Sequence, residues 1–330
     1  MNILLWHVHG SWTTAFVHGK HRYIVPVTPD RGPYGLGRAR TYDWPDTVEE
    51  VPLERLAAEE VDVVVLQRGE ELGLVDRWLG RRPPLVYVEH NTPKGDVPTT
   101  RHPMADRDDV LVVHVTHFNE LFWDTGGTRT TVIEHGIVPP AARYSGELPR
   151  LAVATNEPVR RGRVTGTDLF PRFAAVAPLD VYGMGVADLN ALSGVDAHED
   201  LPQARMHTEL ARRRAYLHLC RWTSLGLSLL EAMAMGMPVV ALATTEAVRA
   251  VPPDAGVLST RVETLVEAAR WLLEEPEEAR RLGARAQVAA NERYGLDRFL
   301  ADWDRLFESI HSPGDFRGPG VGGGSPCASR

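Results

Sequence analysis

The chain has 330 residues, more than one hydrophobic core ordinarily supports, so its length predicts two domains. Hydrophobic residues at 43% and charged residues at 24% set it apart from disordered chains and place it among soluble globular proteins. A formal charge of -8 argues against nucleic-acid binding as its main role. Two cysteines, Cys220 and Cys327, provide no disulfide framework and fit a reducing compartment. The opening MNILLWHVHG lacks the basic start and cleavage site of a signal peptide and reads as the first core strand of a cytoplasmic protein.

In chain order, the apolar run 2–8 leads into His9-Gly10-Ser11-Trp12. A strand followed by a glycine loop at its carboxyl end is where open α/β sheets bind ligands. Further strands are expected at 23–27, 61–66, 85–89, 110–115 and 131–133. Helical or polar segments separate them, and that alternation implies a parallel sheet. Pro29, Gly32, Pro33, Gly35, Gly37 and Pro45 make residues 28–45 a long loop, and such loops are often functional. A second series of strands is expected at 151–155, 179–182, 215–219, 238–242 and 256–258. The boundary falls near residue 146. Residues 1–146 form the first domain, 147–311 the second, and the glycine- and proline-rich 312–330 a disordered tail. A helix over 203–214 places Arg205, Glu209 and Arg213 at four-residue spacing, a solvated ion ladder worth a few tenths of a kcal/mol. From Asp297 onward, Phe299, Trp303, Leu306 and Ile310 share one face of an amphipathic helix.

The most informative stretch is 223–243, TSLGLSLLEAMAMGMPVVALA. It reads as a tight turn at Ser224-Leu225-Gly226, a helix over 227–235, a left-handed cap at Gly236, and a buried strand from Pro238. The break at 236–238 and the charge at Glu231 argue against a membrane span. Glu231 is the anomaly on a helix that is apolar on nearly every side. A buried carboxylate needs a partner, so it is there either for a ligand or for an arginine of the same domain.

At these residues the chain resembles the retaining glycosyltransferases of the GT-B fold, family 4 (glycosyl transferases group 1). The resemblance implies two α/β Rossmann-like domains facing a central cleft, with a last helix that commonly crosses back to the first. It implies transfer of a sugar from a nucleotide-sugar donor to an acceptor (a glycan, a lipid-linked or a small molecule), with retention of configuration. No metal and no other cofactor are expected. The alternative is a degenerate GT-B relative that binds a nucleotide or sugar without turning it over. No integral membrane segment is expected, and a peripheral membrane contact is left open.

The resemblance also assigns residues. Glu231 accepts hydrogen bonds from the donor ribose, as an ionised acceptor facing a vicinal diol. Ser224, Gly226 and Leu227, at a helix start, face the diphosphate. Thr223 stands where the family has a second Glu, and serves either the donor sugar or the helix as a cap. Arg160, Arg161 and Arg163 neutralise the diphosphate. Arg161-Gly162 aligns with the family's Lys-Gly, while Asn156 stands where an Arg is usual. His90, at the end of a strand, faces the donor sugar, and with Arg161 is the expected catalytic residue. Gly10 belongs to the loop nearest the acceptor, and Gly136 is a structural turn before the linker. Asp106-Arg107-Asp108 fits a metal-binding Asp-x-Asp but reads as a surface loop. His7, His9, His18 and His21 lack zincin spacing, and His7 with His9 is expected to share one face of a strand.

Overall fold

The computed structural model describes residues 1–311, so Cys327 and the tail expected at 312–330 lie outside the described residues. The first sheet contains β1 (Asn2–Leu5), β2 (Arg22–Val27), β3 (Val48–Pro52), β4 (Val63–Leu66), β5 (Leu85–Glu89), β6 (Val110–His114) and β7 (Thr130–Val132). The second contains β8 (Leu148–Ala154), β9 (Leu179–Gly183), β10 (Val195–Glu199), β11 (Arg213–His218), β12 (Val239–Leu242) and β13 (Gly256–Ser259). The spatial orders are 3-2-1-4-5-6-7 and 10-9-8-11-12-13, and neighbouring strands run parallel throughout. Each order reverses beside its first strand, between β1 and β4 and between β8 and β11. Open sheets bind ligands at such points, outside the carboxyl ends of the strands.

Continuous apolar runs make the central strands. Every residue of β4, β5, β6 and β12 is buried, as helices on both sheet faces require. Two strands escaped the sequence reading, β3 and β10, and each lies at the edge of its sheet. Edge strands carry charge on their open side. Glu49 and Glu50 of β3 pair with Arg22 and Arg31, and Asp196 of β10 pairs with Arg150, so neither strand shows an apolar run.

Of the ion ladder expected at 205–213, only the Glu209–Arg213 pair forms, and it is not a solvated pair within one helix. The helix ends at Leu210, and Arg213 opens β11 instead. Its guanidinium is buried, reaching Glu209 at 2.5 Å and Asp180 at 3.2 Å. Burial alone would raise the Asp180 carboxyl, but hydrogen bonds from Arg150, Arg213 and His198 hold it below the usual carboxylate range.

The closing helix, Leu296–His311, packs against the first sheet rather than the second. Trp303 stands 5.9 Å from Trp12 and 4.9 Å from Phe16, ring to ring, and Phe299 and Phe307 are buried beside it.

The helix Leu227–Met235 ends at Gly236 in the left-handed region, φ 88°, as its sequence predicts. There the helix Pro276–Tyr294 crosses it with Gly283 at the contact. A Cβ on Gly283 would stand 1.9 Å from the Gly236 carbonyl oxygen, which as backbone cannot swing aside. Gly283→Ala is therefore expected to destabilise the fold by about 1–3 kcal/mol, the usual range for overpacking. Urea unfolding checks this, and an unchanged midpoint would mean that the two helices separate freely.

Candidate active site

The loops after β1, β5, β8 and β11 converge between the two sheets and enclose two adjoining cavities, of about 640 and 250 Å³. Glu231 opens onto the smaller one, together with Tyr182, Gly183 and Gly226. Its side chain is buried, yet among the described residues no guanidinium touches it. Gln203 Nε2 donates to Oε1 at 2.9 Å, and His207 Nε2 donates to Oε2 at 3.1 Å. A carboxylate offers about four lone-pair sites, so each oxygen keeps one for a further donor. The ion-pair alternative is thereby removed. Gln203 and His207 were missed from the sequence, although their i, i+4 spacing puts them on one helix face.

Leu225, Gly226 and Leu227 bring the start of the Leu227–Met235 helix to the cavities, and the first N–H groups of a helix have no intrahelical acceptor. The helix is capped by Gly226 without any side-chain bond, so Thr223 is not its cap. Thr223 lines both cavities instead. Cys220 also borders the smaller cavity, where burial pushes its thiol up to about 11, away from nucleophilic chemistry.

The arginines divide. Arg161 lines both cavities, at their junction, whereas Arg160 lines the larger one and pairs with Glu157 at 3.3 Å. Arg163 lines neither. The turn at Gly162, φ 49°, sends its side chain to Asp168 at 3.0 Å, a carboxylate also held by Arg221 at 2.6 Å. The expectation that Arg163 binds the diphosphate is corrected accordingly. Asn156 borders both cavities, and its side-chain oxygen accepts from the Met184 amide at 3.0 Å.

His90 follows β5 and lines the larger cavity, with Nε2 buried and unpaired. Two histidines that the sequence did not single out for this place stand beside it. His9 lies 4.0 Å from it, ring to ring, tilted by 39°, and His135 completes the wall. Burial lowers all three: His9 to about 4, with help from Arg68; His135 to about 3; and His90 well below the ordinary imidazole value. They are neutral at neutral pH. Gly10 borders the smaller cavity under the Tyr42 ring, which a Cβ would meet at 2.6 Å.

The expected His7–His9 pair is not formed. β1 stops at Leu5, so both residues lie in the following loop; His7 packs on Trp44 at 4.7 Å, and His9 turns to His90. His18 reaches the Thr14 carbonyl and His21 reaches Asp304. Asp106 is an exposed loop residue bonded to Arg101 and to the Gly127 amide. Among the described residues, no group of three or more His, Cys, Asp or Glu side chains is placed to hold a metal ion.

Comparison with known proteins adds to this geometry. Sucrose-phosphate synthase from Thermosynechococcus elongatus superposes with a TM-score of 0.70 at 14% identity, over 95% of this chain and 100% of that one. The Anabaena protein HepE, in a complex with UDP and glucose, gives 0.68 at 15% identity, over 93% and 99%. A glycosyltransferase from Rickettsia africae gives 0.67 at 11%, over 94% and 98%. The fold is GT-B. Residues 186–289 match the family model described as Glycosyl transferases group 1. That segment of the GT-B chain contains Thr223, the Leu227–Met235 helix and Glu231, but not Arg160, Arg161 or the first sheet. No curated protein sequence matches the chain. The matched segment and the GT-B architecture together support a glycosyltransferase. Among the described residues, no helix is long and apolar enough to cross a membrane.

Proposed function

We propose that the protein transfers a sugar from a nucleotide-sugar donor to an acceptor held by the first domain, with retention of configuration and without a metal. The observation that carries this reading is Glu231: buried, touched by no arginine among the described residues, and open to a cavity of about 250 Å³ with an acceptor site left on each oxygen. The ribose sits there. The diphosphate crosses the junction of the cavities, between the helix start and Arg161, and the sugar enters the larger space beside His90. Preorganised donors aimed at a leaving phosphate act where charge develops, which is usually the largest catalytic term. The neutral His90 ring positions the sugar and takes no net charge. The leaving phosphate, rather than an imidazole of this wall, accepts the acceptor's proton. Nothing in the site favours the alternative of a non-catalytic binder. The free Cys220 agrees with a reducing compartment, and the cytoplasm is our reading.

The deciding experiment is a melting-temperature panel of UDP-, GDP- and ADP-sugars, led by UDP because HepE binds it. One nucleotide class is expected to stabilise the protein, by about 2.7 kcal/mol at one hundred times its dissociation constant. Indifference to all three would end the proposal. EDTA is expected to leave sugar transfer unchanged, while loss with chelator and recovery with manganese would refute the metal-free scheme.

A further inference from the structure

The chain contains two lysines. Lys20 is spent on Asp304, at 2.8 Å on the outer surface. Lys94 lines the larger cavity, and its ammonium enters no ion pair among the described residues. The segment that carries it is held with unusual completeness. The Ser224 hydroxyl donates to the His90 carbonyl at 2.7 Å, Trp123 Nε1 to the Asn91 carbonyl at 2.8 Å, and Trp222 Nε1 to the Pro93 carbonyl at 2.8 Å. The Asn91 amide in turn donates to the buried Glu89 carboxylate at 2.6 Å. Two of these bonds come from the second domain and tie the segment to the donor loop. A backbone fixed at three of four consecutive carbonyls costs little further entropy when a ligand binds the side chain that follows.

Lys94 belongs to the first domain, whereas Arg160 and Arg161, which share its cavity, belong to the second. Glu231 lines only the smaller cavity, Arg161 lines both, and Lys94 lines only the larger, from the first-domain side. A diphosphate that starts at the ribose reaches Arg161 at the junction. Lys94 reaches the larger cavity from the first domain, the domain that holds the acceptor in the proposed transfer. Among the described residues the one carboxylate on the larger cavity's wall, Glu157, is engaged by Arg160, and the imidazoles there are neutral. An exposed ammonium with no ion pair among the described residues, carried by a pinned loop at the cavity, suits an anion as a point-charge partner.

We propose that the acceptor carries an anionic group, a phosphate monoester or a carboxylate, and that Lys94 binds it. This rests on the transferase reading for the word acceptor, but the binding of the anion can be tested separately. Glucose, glucose 6-phosphate and glucuronate are titrated by calorimetry into the full chain, once alone and once with saturating UDP. The two anionic probes are expected to bind at least tenfold more tightly than glucose. Lys94→Gln should remove that preference, Lys94→Arg should restore most of it, and added salt should weaken it in the wild type. A preference for glucose 6-phosphate alone identifies the phosphate source, and one for glucuronate alone the carboxylate. Equal binding of all three probes overturns the proposal. So does a Lys94→Gln variant that loses UDP while the anion preference persists, since Lys94 then serves the donor. A protein indifferent to nucleotides that still prefers the anionic probes through Lys94 would sink the transferase reading and leave this one standing.

Discussion

Glu231→Ala is expected to abolish the nucleotide-induced rise in melting temperature and, with it, sugar transfer. The two acceptor sites left on the carboxylate face the smaller cavity, and hydrogen bonds to a charged group contribute ~1.5–3 kcal/mol each. Losing both costs about 3–6 kcal/mol, roughly 10²–10⁴ in dissociation constant. The fold should survive. Gln203 and His207 lose their acceptor, a penalty of about 1–3 kcal/mol at most for each group if dry. The adjoining cavity lets water replace the carboxylate, so the penalty falls toward the lower end. Glu231→Gln is the sharper variant. It keeps the volume but removes the charge and replaces one acceptor oxygen by an NH2 donor, so it too should bind nucleotide weakly. Urea unfolding alongside ligand titration separates the two effects. A Glu231→Ala protein that unfolds like the wild type and still binds UDP normally would remove the foundation of the transferase proposal.

How much of this was readable beforehand depends on whether a feature is local. Residues 227–242 could be read in full because every device there acts over a few positions. Strong helix formers end at Gly236, Pro238 forbids continuation, and β-branched residues follow. Glu231 stood out for the same reason, as a charge on an otherwise apolar helix. Edge strands β3 and β10 were missed because their outward residues answer to neighbouring arginines rather than to a hydrophobic core. The Glu209–Arg213 pair was legible but not its buried setting, because a four-residue spacing fits a helix and also fits a helix that stops at Leu210 before a strand begins. Arg163 failed on one turn: Gly162 decides which of three neighbouring arginines faces the cavity, and residue types alone do not record that turn. His9, His135 and Lys94 reach one wall from three separate loops, and Gln203 reaches Glu231 from a different helix. Such meetings are made by the sheet order, which places the carboxyl ends of β1 and β5 opposite those of β8 and β11.

That division among the arginines leads to the second large effect. Arg161→Ala is expected to lower kcat by about 10²–10³, the loss typical of removing one preorganised donor from a developing anion. Arg161 stands at the junction of the cavities with no carboxylate of its own among the described residues, so its charge is available to the leaving diphosphate. Donor affinity should fall less than kcat, because the charge on the phosphate grows as the sugar departs and the contact strengthens with it. Arg161→Lys should keep most of the rate, since a point charge still meets the phosphate. Arg163→Ala serves as the control: its partner Asp168 retains Arg221, and its side chain lies outside both cavities, so kcat should stay within about twofold, the scatter of ordinary surface substitutions. Steady-state rates for the three variants at saturating donor decide the matter. Equal losses at 161 and 163 would mean that the guanidiniums act as a diffuse positive field. The junction would then have no special part in catalysis, and the metal-free stabilisation of the leaving group would need another source.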